Sequence, residues 1–212
     1  TVFTVPEELY SLIYSNQKLL YDALYHAAHQ TMEELSADPK HLGARIGYIC
    51  VLHTWGSRMN YHPHLHTIVL GGGLDAANKW KDKGKKFFFP VKVMSAVFKK
   101  YYLRELKQFW EDKKLEYHGT AAHLKNHYEF KALLNSLYDK NWVVYTKEAL
   151  NGAKSVIRYL GRYTHRIAIS NRRIVSMTDE TVTYLVKDYK NGGKYIEQTI
   201  KGIEFLRMFL MH

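Results

Sequence analysis

Apolar and polar positions change their rhythm several times along the chain. Thr1-Val2-Phe3-Thr4-Val5 alternates as a strand does, and Pro6-Glu7-Glu8 then opens a helix, because proline and acids suit a first turn. Leu9, Leu12, Ile13, Leu19, Leu20, Leu24, Ala27, Ala28 and Met32 keep the spacing of one buried helical face until Ala37-Asp38-Pro39 ends it. Residues 45–55 read as a strand, 56–61 as a turn, and His64 to Leu70 as a second strand antiparallel to the first, with Gly71-Gly72-Gly73 expected to close it. A lysine-rich surface loop is expected at 75–86, then two helical pieces over about 94–139 broken near Tyr117-His118-Gly119. A third central strand is predicted at 142–147 and a helix at about 149–163. Short strands follow at 167–169, 173–177, 181–187 and 194–200, with turns at Thr178-Asp179-Glu180 and Asn191-Gly192-Gly193 and a last apolar helix from near Gly202.

Interleaved helices and strands with antiparallel pairing signals predict an α+β fold, a mainly antiparallel central sheet with flanking helices, followed by a C-terminal β-meander and helix. The expected division is a core over 1–170, carrying a helical and lysine-rich insertion at about 75–139, and a meander with its helix over 171–212 packed on that core. A chain of 212 residues with 46% hydrophobic content can bury such a core. Charge narrows the partner: 31 lysines and arginines against 20 acids leave +11, which points to a polyanion, most simply nucleic acid. The one cysteine, Cys50, sits in the run Tyr48-Ile49-Cys50-Val51-Leu52 and reads as a buried strand residue, so a reducing, cytoplasmic setting is expected. No run of 18 apolar residues and no leader is visible, so neither a membrane span nor a secretion signal is expected. The chain opens mid-strand without methionine, from which we expect the natural protein to continue on the N-terminal side.

The chemistry concentrates in two places. In His62-Pro63-His64-Leu65-His66, alternate residues share one face of a strand, and Pro63 cannot donate to a ladder, so regular pairing is expected to begin at His64. His64 and His66, about 7 Å apart along a strand, can converge on one divalent ion with Leu65 in the core behind them. His53 on the neighbouring strand is either the third ligand or a hydrogen-bonded core histidine. The second place is Tyr159-Leu160-Gly161-Arg162-Tyr163, where two tyrosines four apart share a helical face beside Arg158, Arg162 and Arg166. Arginines and a cation favour a phenolate and also bind phosphate, a combination that suits attack on a phosphodiester; a packing or base-stacking role stays open. The pairs Tyr10 with Tyr14 and Tyr21 with Tyr25 lack arginines and read as packing residues.

Together these blocks resemble the HUH (His-hydrophobe-His) endonucleases, and within them the two-tyrosine rolling-circle transposases of bacterial insertion sequences. The resemblance runs through Val2-Phe3-Thr4-Val5-Pro6-Glu7-Glu8-Leu9, Leu52-His53-Thr54-Trp55-Gly56, His62 to Leu74 and Arg158 to Asn171. It implies a Rep- or relaxase-like fold in which His64 and His66, with His53, hold Mg2+ or Mn2+. It also implies that Tyr159 and Tyr163 are nucleophiles forming 5′-phosphotyrosine links, and that single-stranded DNA of transposon ends and target is the partner. Arg58, Arg158, Arg162 and Arg166 are the expected DNA-binding residues, and a bacterial, nucleoid-associated location follows. Such transposases also carry a cysteine-rich zinc module, which a chain with one cysteine does not supply. Two other readings use part of the pattern: a histidine-triad nucleotide hydrolase or transferase, and a non-catalytic single-strand-binding protein.

Overall fold

The computed structural model describes residues 1–83, 89–147, 150, 152–163 and 167–212, without the side chains of 153, 162, 163 and 190. In chain order the elements are β1 (Val2–Thr4), α1 (Tyr10–Ser15), α2 (Gln17–Ala37), β2 (Arg45–Trp55), β3 (Tyr61–Leu74), β4 (Trp80–Asp82), α3 (Val91–Glu111), α4 (His127–Asp139) and β5 (Val143–Tyr145). Then come α5 (Gly152–Tyr163), β6 (Ile174–Met177), β7 (Thr181–Asp188), β8 (Lys194–Lys201) and α6 (Gly202–Leu210), with short 3-10 turns between some of them. The class is α+β with antiparallel sheets and flanking helices, as the pattern predicts.

One sheet has the order β2-β3-β1-β5, and β4 pairs with the far end of β3. Every pairing is antiparallel, so side chains directly opposite one another lie on one face. Phe3 is paired with both Leu65 and Val144, and Leu52 with Leu65, which builds an apolar face. Against it lie α2, through Leu20, Ala23, Leu24, Ala27, Ala28 and Met32, and α3, through Met94, Phe98, Tyr102, Leu103 and Leu106. Phe3 and Leu65 are fully excluded from solvent, and the Phe3 ring meets Phe98 at 5.0 Å. Burial of this kind contributes about 1.5–3 kcal/mol per large side chain, enough to hold the strands in register. The opposite face of the sheet carries the histidines.

A second sheet, β6-β7-β8, has its own small core of Ile169, Tyr184 and Val186, against which Phe205 and Met208 of α6 pack. The turn between β2 and β3 reaches into it: Met59, in the left-handed region at φ 59°, is wholly buried there. Backbone groups of that turn are tied to the second sheet. The Tyr184 hydroxyl donates to the Arg58 carbonyl (3.2 Å), Ser57 Oγ accepts from the Lys187 amide (2.6 Å), and the Arg173 guanidinium donates to the Ser57 carbonyl.

Several expectations are corrected. Ile167–Ile169 is not a strand; Ala168 and Ile169 are buried where the chain bends, and Ile169 fills the small core instead of pairing. Gly71-Gly72-Gly73 does not end β3, which runs on to Leu74 because β2 and β4 flank it there. A Cβ on Gly73 would stand 2.4 Å from the Arg45 carbonyl oxygen, so the glycines admit close neighbours rather than make a turn. The lysine-rich stretch contains β4, and β5 lies at the end of the strand order rather than centrally, pairing with β1. Cys50 is half-buried, 3.3 Å from Thr67 Oγ1, and burial raises its thiol pKa. Of the helix expected from about 149, residues 148, 149 and 151 lie outside the described residues.

Candidate active site

His64 and His66 point from the middle of β3 to the face opposite the helices, since Leu65 between them is in the core. The register sets His53 of β2 directly opposite His64, on the same face. One ring nitrogen from each of His53, His64 and His66 lies within 4.8 Å of the others, the one such ligand group among the described residues. His53 and His64 are buried and His66 is half-buried. Each of the three could give one nitrogen to a shared cation.

The hydrogen bonds orient the rings. His64 Nδ1 stands 2.7 Å from the carbonyl of His62. A carbonyl only accepts, so Nδ1 carries the proton and Nε2 presents its lone pair. That Nε2 faces His66 Nε2 at 3.1 Å. Two facing lone pairs repel, whereas a proton on one nitrogen or a cation shared by both makes the contact attractive. The other nitrogen of His66, Nδ1, lies 3.3 Å from the Tyr159 hydroxyl on α5, 93 residues away in sequence. Burial holds the His64 imidazole down at about 4 and His66 at about 2, and the neighbouring imidazoles push in the same direction. Both are therefore neutral at pH 7, the form that can ligate.

Of the other residues singled out in the sequence, Arg58 is exposed in the β2–β3 turn and Arg158 is exposed on α5, one position before Tyr159. Tyr163 closes α5, but its side chain and that of Arg162 lie outside the described residues, as does Arg166 entirely. His62 is on β3 but outside the three-nitrogen group; its Nδ1 is hydrogen-bonded to the Tyr10 hydroxyl, and burial lowers its pKa.

The family model Y2_Tnp, described as "Putative transposase", matches residues 47–212, a span that takes in both the histidine strand and the tyrosine helix. The chain belongs to this transposase family. It is 40% identical over 212 residues to "Putative transposase y4qJ" of Sinorhizobium fredii, covering all of this chain and 53% of that protein. It is 28% identical over 213 positions to "Transposase for insertion sequence element IS801" of Pseudomonas savastanoi pv. phaseolicola, covering all of this chain and 49% of that protein. The chain thus spans about half the length of the curated relatives it matches. No solved structure matches it significantly. Membership agrees with the two-tyrosine resemblance drawn from the motifs. Among the described residues, no helix of the transposase chain is long and apolar enough to cross a membrane.

Two neighbours of the transposase histidines escaped the sequence reading. Trp55 stacks on His53 with centroids 4.5 Å apart and planes 16° apart, so His53 has a packing partner as well as a place in the cluster. Their i, i+2 spacing on a strand was the available signal. Tyr10 has no arginine beside it and in sequence looks like a packing residue, yet its hydroxyl meets His62, whose carbonyl in turn orients His64. Nothing local in the sequence connects residues 52 positions apart.

Proposed function

We propose that this chain is the catalytic domain of a metal-dependent transposase that cuts and rejoins single-stranded DNA through phosphotyrosine links, in the manner of rolling-circle-like transposition. The observation that carries the reading is the chain of contacts from His64 through His66 to the Tyr159 hydroxyl, 3.1 and 3.3 Å long. It brings a phenol hydroxyl beside a cluster able to hold a cation, which supports the reading of Tyr159 as the nucleophile. An all-nitrogen donor set favours a transition ion over magnesium, which prefers oxygen ligands, so of the two expected ions manganese fits the three imidazoles better. When bound, such an ion supplies Lewis-acid polarisation of the scissile phosphate and charge stabilisation on the leaving oxygen.

The chain's own groups do the rest. With a cation taking the lone pair of its Nε2, neutral His66 would carry its proton on Nδ1 and offer it as a hydrogen bond to the Tyr159 oxygen, which favours the phenolate. Attack of that oxygen forms an O–P bond to the scissile phosphate while the P–O3′ bond breaks. The phenol gives its proton to solvent as the phenolate forms, and the 3′ oxygen leaves as a hydroxyl after taking up a proton from solvent. The link conserves the phosphodiester energy, so another 3′-hydroxyl can attack it and restore the phenol. Tyr163, as second nucleophile, lets donor and target strands be held at once. Arg58, Arg158, Arg162 and Arg166 supply phosphate contacts around the cut. The histidine-triad alternative needs an imidazole aimed at substrate as the nucleophile, and the mutual Nε2 contact of His64 and His66 speaks against it.

Incubation with Mn2+ and a single-stranded transposon-end oligonucleotide is expected to leave a covalent adduct that survives denaturation. A Tyr159→Phe, Tyr163→Phe double variant that still forms it would overturn the assignment of nucleophiles.

A further inference from the structure

The histidine face of the first sheet continues well past the histidines. Ile49 and Ile68 are paired one row beyond Val51 and His66, and Leu74 is paired with Arg45 on one side and with Trp80 of β4 on the other. Ile49, Leu70 and Trp80 are 53%, 53% and 56% exposed, an apolar stripe of a kind that folded chains seldom leave bare. It ends on an indole held in place by the glycine run: a Cβ on Gly72 would stand 2.7 Å from the Trp80 ring, so only glycine lets the ring lie against the β3 backbone. The Trp80 residue as a whole remains exposed.

Charge says what the stripe fits. Arg45, paired with Leu74, is exposed on this face, and Lys79 is exposed at the entry to β4, whereas Lys81 alternates to the other face and extends toward Gly43. The carboxylates nearby are Asp82 on β4 and Asp75, which accepts from the backbone amides of Ala77 and Lys79 in the turn. An exposed aromatic ring with Arg45 and Lys79 near it, on a chain of net charge +11, is the pairing that binds a single nucleic-acid strand, with the ring under a base and the cations along the phosphates. A purely apolar partner would leave those cations unused.

We infer that the stripe from the histidine cluster along β3 to Trp80 is a track for the bases of single-stranded DNA flanking the cut, with Trp80 as its distal stacking platform. The inference rests on the reading of the chain as a single-strand nuclease. From His66 to Leu74 is eight residues on β3 but only six on the partner strand, Val51 to Arg45, so the bulged stretch spans about 20 Å, room for a few nucleotides.

The test is fluorescence anisotropy of labelled oligo-dT in EDTA, comparing a strand too short to reach Trp80 with one that spans the track. Wild type is expected to gain affinity with the longer strand. Trp80→Ala should lose about 5- to 150-fold of that gain, the range of one base–aromatic stack, and Trp80→Phe should restore most of it. Unfolding midpoints equal to wild type exclude general damage. An undiminished gain in Trp80→Ala overturns the inference. So does a variant that binds DNA normally but no longer self-associates, which assigns the stripe to a second copy of the chain. Because EDTA blocks the covalent step, failure of the nuclease reading shows separately, as a missing adduct in wild type with Mn2+.

Discussion

Arg173 joins three separated segments, and its removal has a calculable cost. Its Nε donates to the Leu185 carbonyl at 2.8 Å and its terminal nitrogens to the Ser57 carbonyl and, at 3.5 Å, to that of Ala168. Burial lowers its pKa, so the guanidinium is held at a desolvation cost that these carbonyls must offset. The contact to Ala168 is long enough to count for little. Two charge-assisted bonds at about 1.5–3 kcal/mol each set a ceiling near 6 kcal/mol. Arg173 is only partly buried, so freed carbonyls regain water and the lost guanidinium no longer needs desolvating; we expect Arg173→Met to cost about 2–3 kcal/mol. In urea unfolding followed by circular dichroism, with a slope near ~2 kcal/mol per molar, that is a midpoint about 1–1.5 M lower. Arg173→Lys should recover little, because an ammonium cannot span diverging carbonyls. A Met variant within about 0.5 kcal/mol of wild type would refute the reasoning and leave apolar packing around Met59 as the tie between the sheets.

Two further outcomes concern the histidines. Mn2+ should raise the thermal midpoint of the wild-type chain, by about 2.7 kcal/mol of stability at a hundredfold excess over Kd, and His64→Ala with His66→Ala should abolish the shift; a shift retained in that double variant would remove them as ligands. In the metal-free chain, His64 titrates at about 4 and His66 at about 2 when folded, against 6.5 unfolded, so the unfolded state takes up protons first. Stability should be flat above pH ~6.5 and fall below it, by roughly 1–2 kcal/mol per imidazole at pH 5; a curve level between pH 7 and 5 would mean that the rings are open to water.

Local pattern determined a good deal of this protein. The period of two through His64, Leu65 and His66 already implies two imidazoles on one face and an apolar side chain on the other, because a strand alternates whatever it packs against. The helical spacing of Leu20, Leu24, Ala27 and Ala28 likewise selects one face for burial, and the turn signals at 178–180 and 191–193 mark the meander. The histidine cluster was legible to that extent, and with Tyr159 it was legible as a family pattern.

Tertiary structure decided what depends on pairing between distant segments. Whether His53 joins the cluster or lies beside it turns on register, and a slip of one residue would send it to the helix side; the observed pairing sets it opposite His64. Ile167–Ile169 alternates well enough for a strand, but the small core around Met59 and Tyr184 takes Ile169, and that competition is invisible locally. The glycine run reads as a stop until β2 and β4 are found pressed against it. The meeting of Tyr159 with His66 is likewise a product of packing, since no property of either segment alone carries α5 across the sheet to the histidines.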